Sequence, residues 1–309
     1  CDLAMSAASG GTRYYYAVGG GNGGQIWRSD NRGQTWTQLT PGLSGNFQDS
    51  LAIACSPTNP EVVYLMSPTD RIVLKSTNHG ATWTNITGNI PTGNNWTQGW
   101  YDYHLTCSTK TGGIDVLYAG LIDLQMDDGG DGSWQSVGGP TYSGSALTHN
   151  DQHCMTVSPS NSNVSYVGND GGLYRFTYNP AAGTYTWNYL SANLGITQFY
   201  SLATHPTDKD RMLGGTQDNA SPWSQGTLAN WDNVAGGDGI GVALIKNAPN
   251  TMYAGSQYYG QDANGNIYLY RTANAWANVT YPSVNTSGQD VLFIPPMASD
   301  PNSTSVYIG

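Results

Sequence analysis

Short apolar runs alternate with polar turns along the chain, a pattern that does not favour helices. The segment LAIACSPTNPEVVYLMS (residues 51–67) is representative, because two apolar runs flank a turn containing Ser, Pro and Asn. Runs of about four to eight β-branched and aromatic residues between such turns are typical of strands. The pattern therefore predicts an all-β protein with short strands.

A repeat of roughly fifty residues organises these strands. Six tryptophans recur at intervals of 44 to 53 residues, and each follows three strand-like runs and a hairpin. This interval is the size of a four-stranded propeller blade. The tryptophans are Trp36, Trp83, Trp134, Trp187, Trp231 and Trp276.

Seven candidate first strands extend the repeat along the whole chain. They begin at Leu3, Leu51, His104, Cys154, Ser201, Gly241 and Val291. We predict a single domain, residues 1–309, that folds as a seven-bladed β-propeller with blades starting near residues 1, 49, 102, 151, 198, 238 and 290. The last blade contains only VLFIPP and SVYIG, so we expect it to be incomplete within this chain.

Two hairpin segments share one motif, RSDNRGQTW (residues 28–36) and KSTNHGATW (residues 75–83). The motif and the blade layout resemble the Asp-box (bacterial neuraminidase repeat) β-propeller superfamily. This resemblance implies a rim hairpin in which polar side chains bond to the turn backbone and Trp packs between blades. Because Thr77 replaces Asp30 in the second copy, we expect a structural hairpin rather than a catalytic carboxylate.

Further segments narrow the resemblance. QGWYDYH, HNDQH, VGNDGGLYRF, GITQFYSLATHP and LGGTQDNAS are similar to a branch of secreted bacterial repeat proteins of unassigned activity. The likeness to sortilin-type receptors and xyloglucan hydrolases is more distant. A propeller fold hosts many unrelated activities, so the resemblance predicts the fold better than the function.

Charge and composition exclude several functions. The net charge is −10 and no Lys/Arg cluster occurs, so the chain is not expected to bind nucleic acid. No run of 18 apolar residues occurs, so we expect no membrane span. Seven Asn-x-Ser/Thr sequons favour a secreted or surface-displayed glycoprotein. They lie at Asn85, Asn95, Asn163, Asn219, Asn278, Asn285 and Asn302.

The four cysteines lack the spacing of a metal finger. Cys55 and Cys107 hold similar places in neighbouring repeats, so we expect a disulfide between them. Two buried free thiols are the alternative.

Acidic residues precede nearly every first strand and predict a ring around one mouth of a central channel. The ring comprises Asp2, Asp49, Asp102, Asp151, Asp238 and Asp290, with Gln198 in the fifth unit. In HNDQH, strand alternation predicts that His149, Asp151 and His153 share one face and bind a divalent cation at the channel mouth. Histidines that bridge carboxylates, and aspartates that fix blade spacing, are the alternatives.

Two further aspartates carry an enzymatic hypothesis. GNDGGLYRF is similar to a segment that carries a catalytic carboxylate in the xyloglucan hydrolases, which points to Asp170. Asp170 and Asp218 could then be the acid and base of a glycoside hydrolase, or both could be turn residues. Exposed aromatic side chains are candidates for sugar binding, and packing between blades is the alternative. They are Trp96, Trp100, Tyr101, Tyr258 and Tyr259.

The incomplete blade predicts self-association or a missing C-terminal segment, since an open sheet edge is normally covered. Strands donated by a second copy would propagate the assembly as a filament. We therefore expect a non-enzymatic structural or binding module, with a glycan as a candidate ligand. Glycoside hydrolysis is the alternative.

Overall fold

The structure is a computed structural model that describes residues 2–19, 24–41, 50–91, 93–139, 146–287 and 289–309. The chain is all-β, as the alternation of apolar runs and turns predicted, and its strands pair antiparallel. It divides into two compact units, residues 1–194 and 195–309, so the single domain stays a prediction. No helix among the described residues is long and apolar enough to cross a membrane.

Within its described residues, the first unit contains four sheets of four strands, each in chain order. The first sheet consists of β1 (Asp2–Met5), β2 (Tyr15–Gly19), β3 (Gln25–Ser29) and β4 (Thr37–Leu39). The second consists of β5 (Ala52–Cys55), β6 (Val63–Ser67), β7 (Ile72–Ser76) and β8 (Thr84–Asn85). The third consists of β9 (His104–Lys110), β10 (Ile114–Gly120), β11 (Leu124–Asp127) and β12 (Trp134–Ser136). The fourth consists of β13 (Gln152–Ser158), β14 (Asn161–Asn169), β15 (Gly172–Asn179) and β16 (Thr184–Tyr189).

The core of this unit lies between the faces of consecutive sheets. In β6, Val63 and Leu65 pack between the first and second sheets, whereas Tyr64 and Met66 pack between the second and third. Successive side chains of a strand point to opposite faces, so a strand with both faces covered is apolar throughout. This packing explains the continuous run EVVYLMS.

The first strands of consecutive sheets are neighbours: β1 contacts β5, β5 contacts β9, and β9 contacts β13. Side chains at the start of one first strand therefore meet those at the start of the next. A short 3₁₀ helix, Asn94–Trp96, precedes β9.

The second unit begins with another four-stranded meander and then departs from the repeat. The meander consists of β17 (Phe199–Thr204), β18 (Met212–Thr216), β19 (Ser221–Ser224) and β20 (Trp231–Ala235). The next strands are β21 (Val242–Leu244), β22 (Met252–Ala254), β23 (Asn266–Tyr268), β24 (Tyr270–Thr272) and β25 (Ser283–Asn285). They form a sheet of β21, β22 and β24 and a separate pair of β23 and β25. A 3₁₀ helix, Gln257–Gly260, lies between β22 and β23.

Two sequence predictions are wrong here. The sixth repeat does not form a four-stranded sheet, because its third strand is divided into β23 and β24, which join different sheets. The predicted strand VLFIPP is not a strand; instead β26 (Met297–Ser299) pairs with β27 (Val306–Ile308). The physical reason is Pro295 and Pro296, which lack the N–H that a strand donates.

Candidate functional site

The hairpins after β3 and β7 are held by bonds within each turn. In the first copy, Ser29 Oγ accepts the N–H of Gly33 (2.9 Å), the Asn31 amide donates to Thr35 Oγ1 (2.7 Å), and Trp36 Nε1 donates to the Gly33 carbonyl (3.0 Å). Asp30 is exposed. The turn is thus held by its own side chains.

The second hairpin has the equivalent bonds: Ser76 Oγ accepts the N–H of Gly80 (2.8 Å), and the Asn78 amide donates to Thr82 Oγ1 (2.8 Å). Indole nitrogens then link consecutive sheets: Trp134 donates to the carbonyl of Ile86 (2.8 Å). Trp187 likewise donates to the carbonyl of Val137 (2.7 Å).

A cluster of three aspartates lies where the third and fourth sheets meet. Asp102 is held by a turn before β9, in which the N–H groups of Tyr101 and Asp102 donate to the Gln98 carbonyl (2.7 and 3.0 Å). Asp151 precedes β13 with a left-handed φ of 63°, and its N–H donates to the Ile122 carbonyl (2.8 Å). These backbone bonds position two carboxylates from neighbouring sheets.

The third aspartate, Asp170, lies in the turn between β14 and β15. One carboxylate oxygen of Asp151 and one of Asp170 lie within 4.8 Å of each other. His153 Nε2 lies 2.5 Å from Asp170 Oδ1, and Gln98 donates to Asp151 Oδ1 (3.0 Å). Sequence reasoning missed Gln98, because a glutamine among aromatic residues carries no specific signal.

Asp102 lies deepest in this cluster, with no exposed surface. Within the cluster, its carboxyl group forms a hydrogen bond with the carboxyl group of Asp151. Burial, followed by the charge of Asp151, raises the pKa of Asp102 well above the usual aspartate range. Burial, followed by the charge of Asp170, also raises the pKa of Asp151.

The two histidines of the cluster have opposite tendencies. The hydrogen bond to Asp170 raises the pKa of His153, which favours an ion pair between them. Burial, together with the charge of His153, lowers the pKa of His104 to about 3, so His104 is neutral at pH 7. The cluster therefore contains three carboxyl groups and one readily protonated imidazole.

Two exposed rings border the cluster. The Trp100 side chain is 68 % exposed and that of Tyr101 42 % exposed, and their ring centroids lie 5.6 Å apart. The Tyr101 ring also packs edge-on against His153, with a centroid distance of 4.9 Å. Trp100, Tyr101 and His153 thus form an accessible face beside the carboxyl groups.

The other aromatic residues predicted to be exposed differ in their actual exposure. Trp96 and Tyr259 were predicted to be exposed, and this is wrong, because both lie in hydrophobic clusters and are at most 3 % exposed. Tyr259 also donates its hydroxyl to the Pro296 carbonyl (2.6 Å). Tyr258 is exposed and packs against Phe293, with a centroid distance of 5.3 Å.

The predicted metal set of His149, Asp151 and His153 is not assembled. The strand starts only at Gln152, and a bulge follows it, so simple alternation fails. His149 Nδ1 lies 3.2 Å from the Asn150 carbonyl. Across the described ranges, no group of metal-ligating atoms unites these two histidines with Asp151.

Asp170 belongs to the first unit and Asp218 to the second, so their pairing stays a prediction. Asp218 has a left-handed φ of 58°, and its N–H donates to Asp238 Oδ1 (2.9 Å). Asp2 similarly accepts the N–H of Ile53 (3.0 Å), which ties the first sheet to the second. These two bonds favour a spacing role for Asp2 and Asp238, whereas Asp49 lies outside the described residues.

The expected disulfide is absent, since Cys55 and Cys107 are free thiols. Burial raises the pKa of both, to about 12 for Cys55, and the Cys107 sulfur donates to the Ser108 carbonyl (3.5 Å). Each thiol therefore stays protonated within its sheet interface.

The sequons differ in accessibility. The prediction that Asn95 carries a glycan is wrong for the folded chain, because this side chain is buried. Its Oδ1 accepts a hydrogen bond from the N–H of Asp123 (2.7 Å). Asn163 is half-buried. The exposed sequon residues are Asn85, Asn219, Asn278, Asn285 and Asn302.

No family model and no curated protein matches the chain. Among solved structures it is similar to the GH74 xyloglucanase from Xanthomonas campestris (16 % identity, TM-score 0.44), covering 99 % of this chain and 51 % of that one. It is also similar to PorZ, a surface component of the type-IX secretion system of Porphyromonas gingivalis (14 % identity, TM-score 0.48), covering 99 % of this chain and 38 % of that one. YCF48 from Cyanidioschyzon merolae has 11 % identity and a TM-score of 0.40, covering 96 % of this chain and 87 % of that one. The chain spans about half the length of the xyloglucanase, and none of these similarities identifies its function.

Proposed function

We propose that this protein is a secreted or surface-displayed β-propeller of the Asp-box type that binds carbohydrate without cleaving it. The observation that carries this proposal is the exposed face of Trp100, Tyr101 and His153 beside Asp170. Flat aromatic rings pack against the C–H groups of a pyranose, and carboxylates accept its hydroxyls. The stacked four-stranded meanders support the propeller, and the five exposed sequons support secretion.

Truncating the most exposed ring tests this proposal. We expect Trp100→Ala to weaken polysaccharide binding about tenfold, because one stacking contact contributes roughly 1 kcal/mol or more. The measurement is affinity electrophoresis on a panel of plant and bacterial polysaccharides, followed by calorimetry on the best ligand. Tyr281→Ala, at another exposed ring, is the control and should bind like wild type. A panel that binds neither wild type nor control contradicts carbohydrate binding.

A second candidate is glycoside hydrolysis, which the proximity of Asp151 and Asp170 favours. Carboxyl groups about 5 Å apart suit a retaining mechanism, in which one acts as nucleophile and the other as acid and base. A raised pKa suits Asp151 to the acid role. Release of reducing sugar that Asp170→Asn abolishes would support hydrolysis, whereas binding without release would support the module.

A further inference from the structure

A polar cleft in the first sheet is separate from the face of Trp100, Tyr101 and His153, none of which lines it. It lies between the loop that joins β1 to β2 and the hairpin after β3, and its volume is about 590 Å³. Clefts of this size hold small organic ligands. Arg13 lines the cleft from the loop, and Arg32 lines it from the hairpin. The cleft therefore contains two guanidinium groups.

The positive charge of this cleft is not neutralised by the described residues. The chain has 11 Lys and Arg residues and a net charge of −10, so two arginines in one cleft are an uncommon concentration of positive charge. Both Arg13 and Arg32 are exposed, and neither forms an ion pair with any described residue. Asp30 also lines the cleft, but it pairs with neither arginine. This arrangement favours an anionic ligand.

Bonds within the chain position the first of these arginines. Ser9 and Thr12 exchange two backbone hydrogen bonds of 2.9 Å, which close the loop before β2. Arg13 Nη1 then donates to the carbonyl of Ser6 (2.8 Å). A guanidinium group has five N–H donors, so this bond fixes the group and leaves its other donors available to a ligand.

The second arginine, Arg32, is not needed to hold its hairpin. The bonds of that turn come from Ser29 and Asn31. At the matching position of the second hairpin, the ring of His79 stacks on Tyr14 with a centroid distance of 4.2 Å. The Arg32 side chain has no such ring contact, hydrogen bond or ion pair with the described residues. Its charge is therefore available to a ligand in the cleft.

We propose that this cleft binds a sugar unit that bears a carboxylate, as in a uronate of an acidic polysaccharide. The planar fork of a guanidinium fits a carboxylate with two parallel hydrogen bonds, and Arg13 and Arg32 supply that group. Tyr15 and Gln34, which also line the cleft, offer a ring to the pyranose and an amide to its hydroxyls. The choice of a sugar rests on the proposed function, whereas the choice of a carboxylate rests on the arginines.

Calorimetry with acidic trisaccharides tests this site. The probes are trimers of galacturonate, mannuronate and guluronate, each with its methyl ester as the uncharged match. We expect at least one acid to bind, and its ester to bind at least about tenfold more weakly, because the ester cannot form a charge-assisted pair with arginine. Raising the salt concentration should weaken binding of the acid and leave that of the ester unchanged.

Two variants of the cleft should change binding of the acid in opposite directions. Arg32→Asn should weaken it at least about tenfold, and Asn tolerates the left-handed φ of 61° at this position. Asp30→Asn removes a like charge from the cleft and should strengthen binding about two- to fivefold. Arg175→Gln removes an exposed arginine of β15, outside the cleft, and should bind like wild type.

The proposal is overturned if no acid trimer binds, if each ester binds as well as its acid, or if Arg32→Asn binds as wild type does. If Arg32→Asn does not fold, Asp30→Asn decides, and unchanged affinity in that variant overturns the site. Failure here is distinguishable from failure of the proposed function. Neutral polysaccharide that binds while no acid trimer does overturns only the cleft. Acid trimers that bind while Trp100→Ala leaves polysaccharide binding unchanged overturn only the face at Trp100.

Discussion

At the scale of single residues, a buried acid decides the chemistry of the candidate site. Asp102 has no exposed surface, and two other carboxyl groups act on it. The sequence placed Asp102 and Asp151 in one predicted ring of acidic residues, but it could not place Asp170 against His153. Strand period predicts the face of a side chain, whereas a left-handed residue such as Asp151 and the bulge after Gln152 change that face locally.

The raised pKa of Asp102 predicts how stability depends on pH. In the folded chain, Asp102 keeps its proton to a higher pH than in the unfolded chain, so the folded chain binds more protons. The free energy of unfolding therefore falls as the pH rises above about 4. In EDTA, we expect the melting temperature to fall from about pH 5 to about pH 8. Asp102→Asn, which stays neutral, should reduce this fall, whereas Asp30→Asn should not. A fall of equal size in Asp102→Asn would contradict the assignment.

At the scale of strands and sheets, the sequence predicted the meanders well because each hairpin has local turn signals. The four sheets of the first unit follow the predicted order. The sixth repeat could not be predicted, because its third strand is divided: β24 pairs with β22, whereas β23 pairs with β25. Local turn signals do not indicate that division. Nor did the apolar run before Pro295 form a strand, since prolines stop strand pairing.

One glycine shows how closely the third sheet packs beside the site. Gly120 pairs with His104, and a Cβ on Gly120 would lie 2.1 Å from the imidazole ring. We expect Gly120→Ala to lower the free energy of unfolding by about 1–3 kcal/mol, as overpacking of a core does. Gly19→Ala, at the matching end of β2, meets no atom of the described residues within 4 Å and should be neutral. Urea denaturation measures both, and equal effects would contradict this packing.

At the scale of the whole molecule, burial of both sheet faces makes neighbouring sheets of the first unit depend on each other. Cys55 packs at the edge of the cluster between the first and second sheets, and Cys107 at that between the second and third. The sequence placed both in equivalent strands but could not decide between a disulfide and two free thiols. Whether a disulfide forms depends on the distance between two sulfur atoms that lie in separate sheets.

The thiols therefore report on unfolding of these sheets. Iodoacetamide reacts only with a thiolate. We therefore expect Cys154, which is exposed, to be labelled in the native protein. Cys55 and Cys107 should be protected, because they are buried and their pKa values are raised. Because the second sheet contributes to both clusters, losing it exposes both thiols, and we expect them to become reactive over the same range of urea. Peptide mass spectrometry after labelling measures each site, with fully denatured, unreduced protein as the reference for complete labelling. A cross-linked peptide containing both cysteines, or native labelling of either as fast as Cys154, would contradict the free, buried thiols.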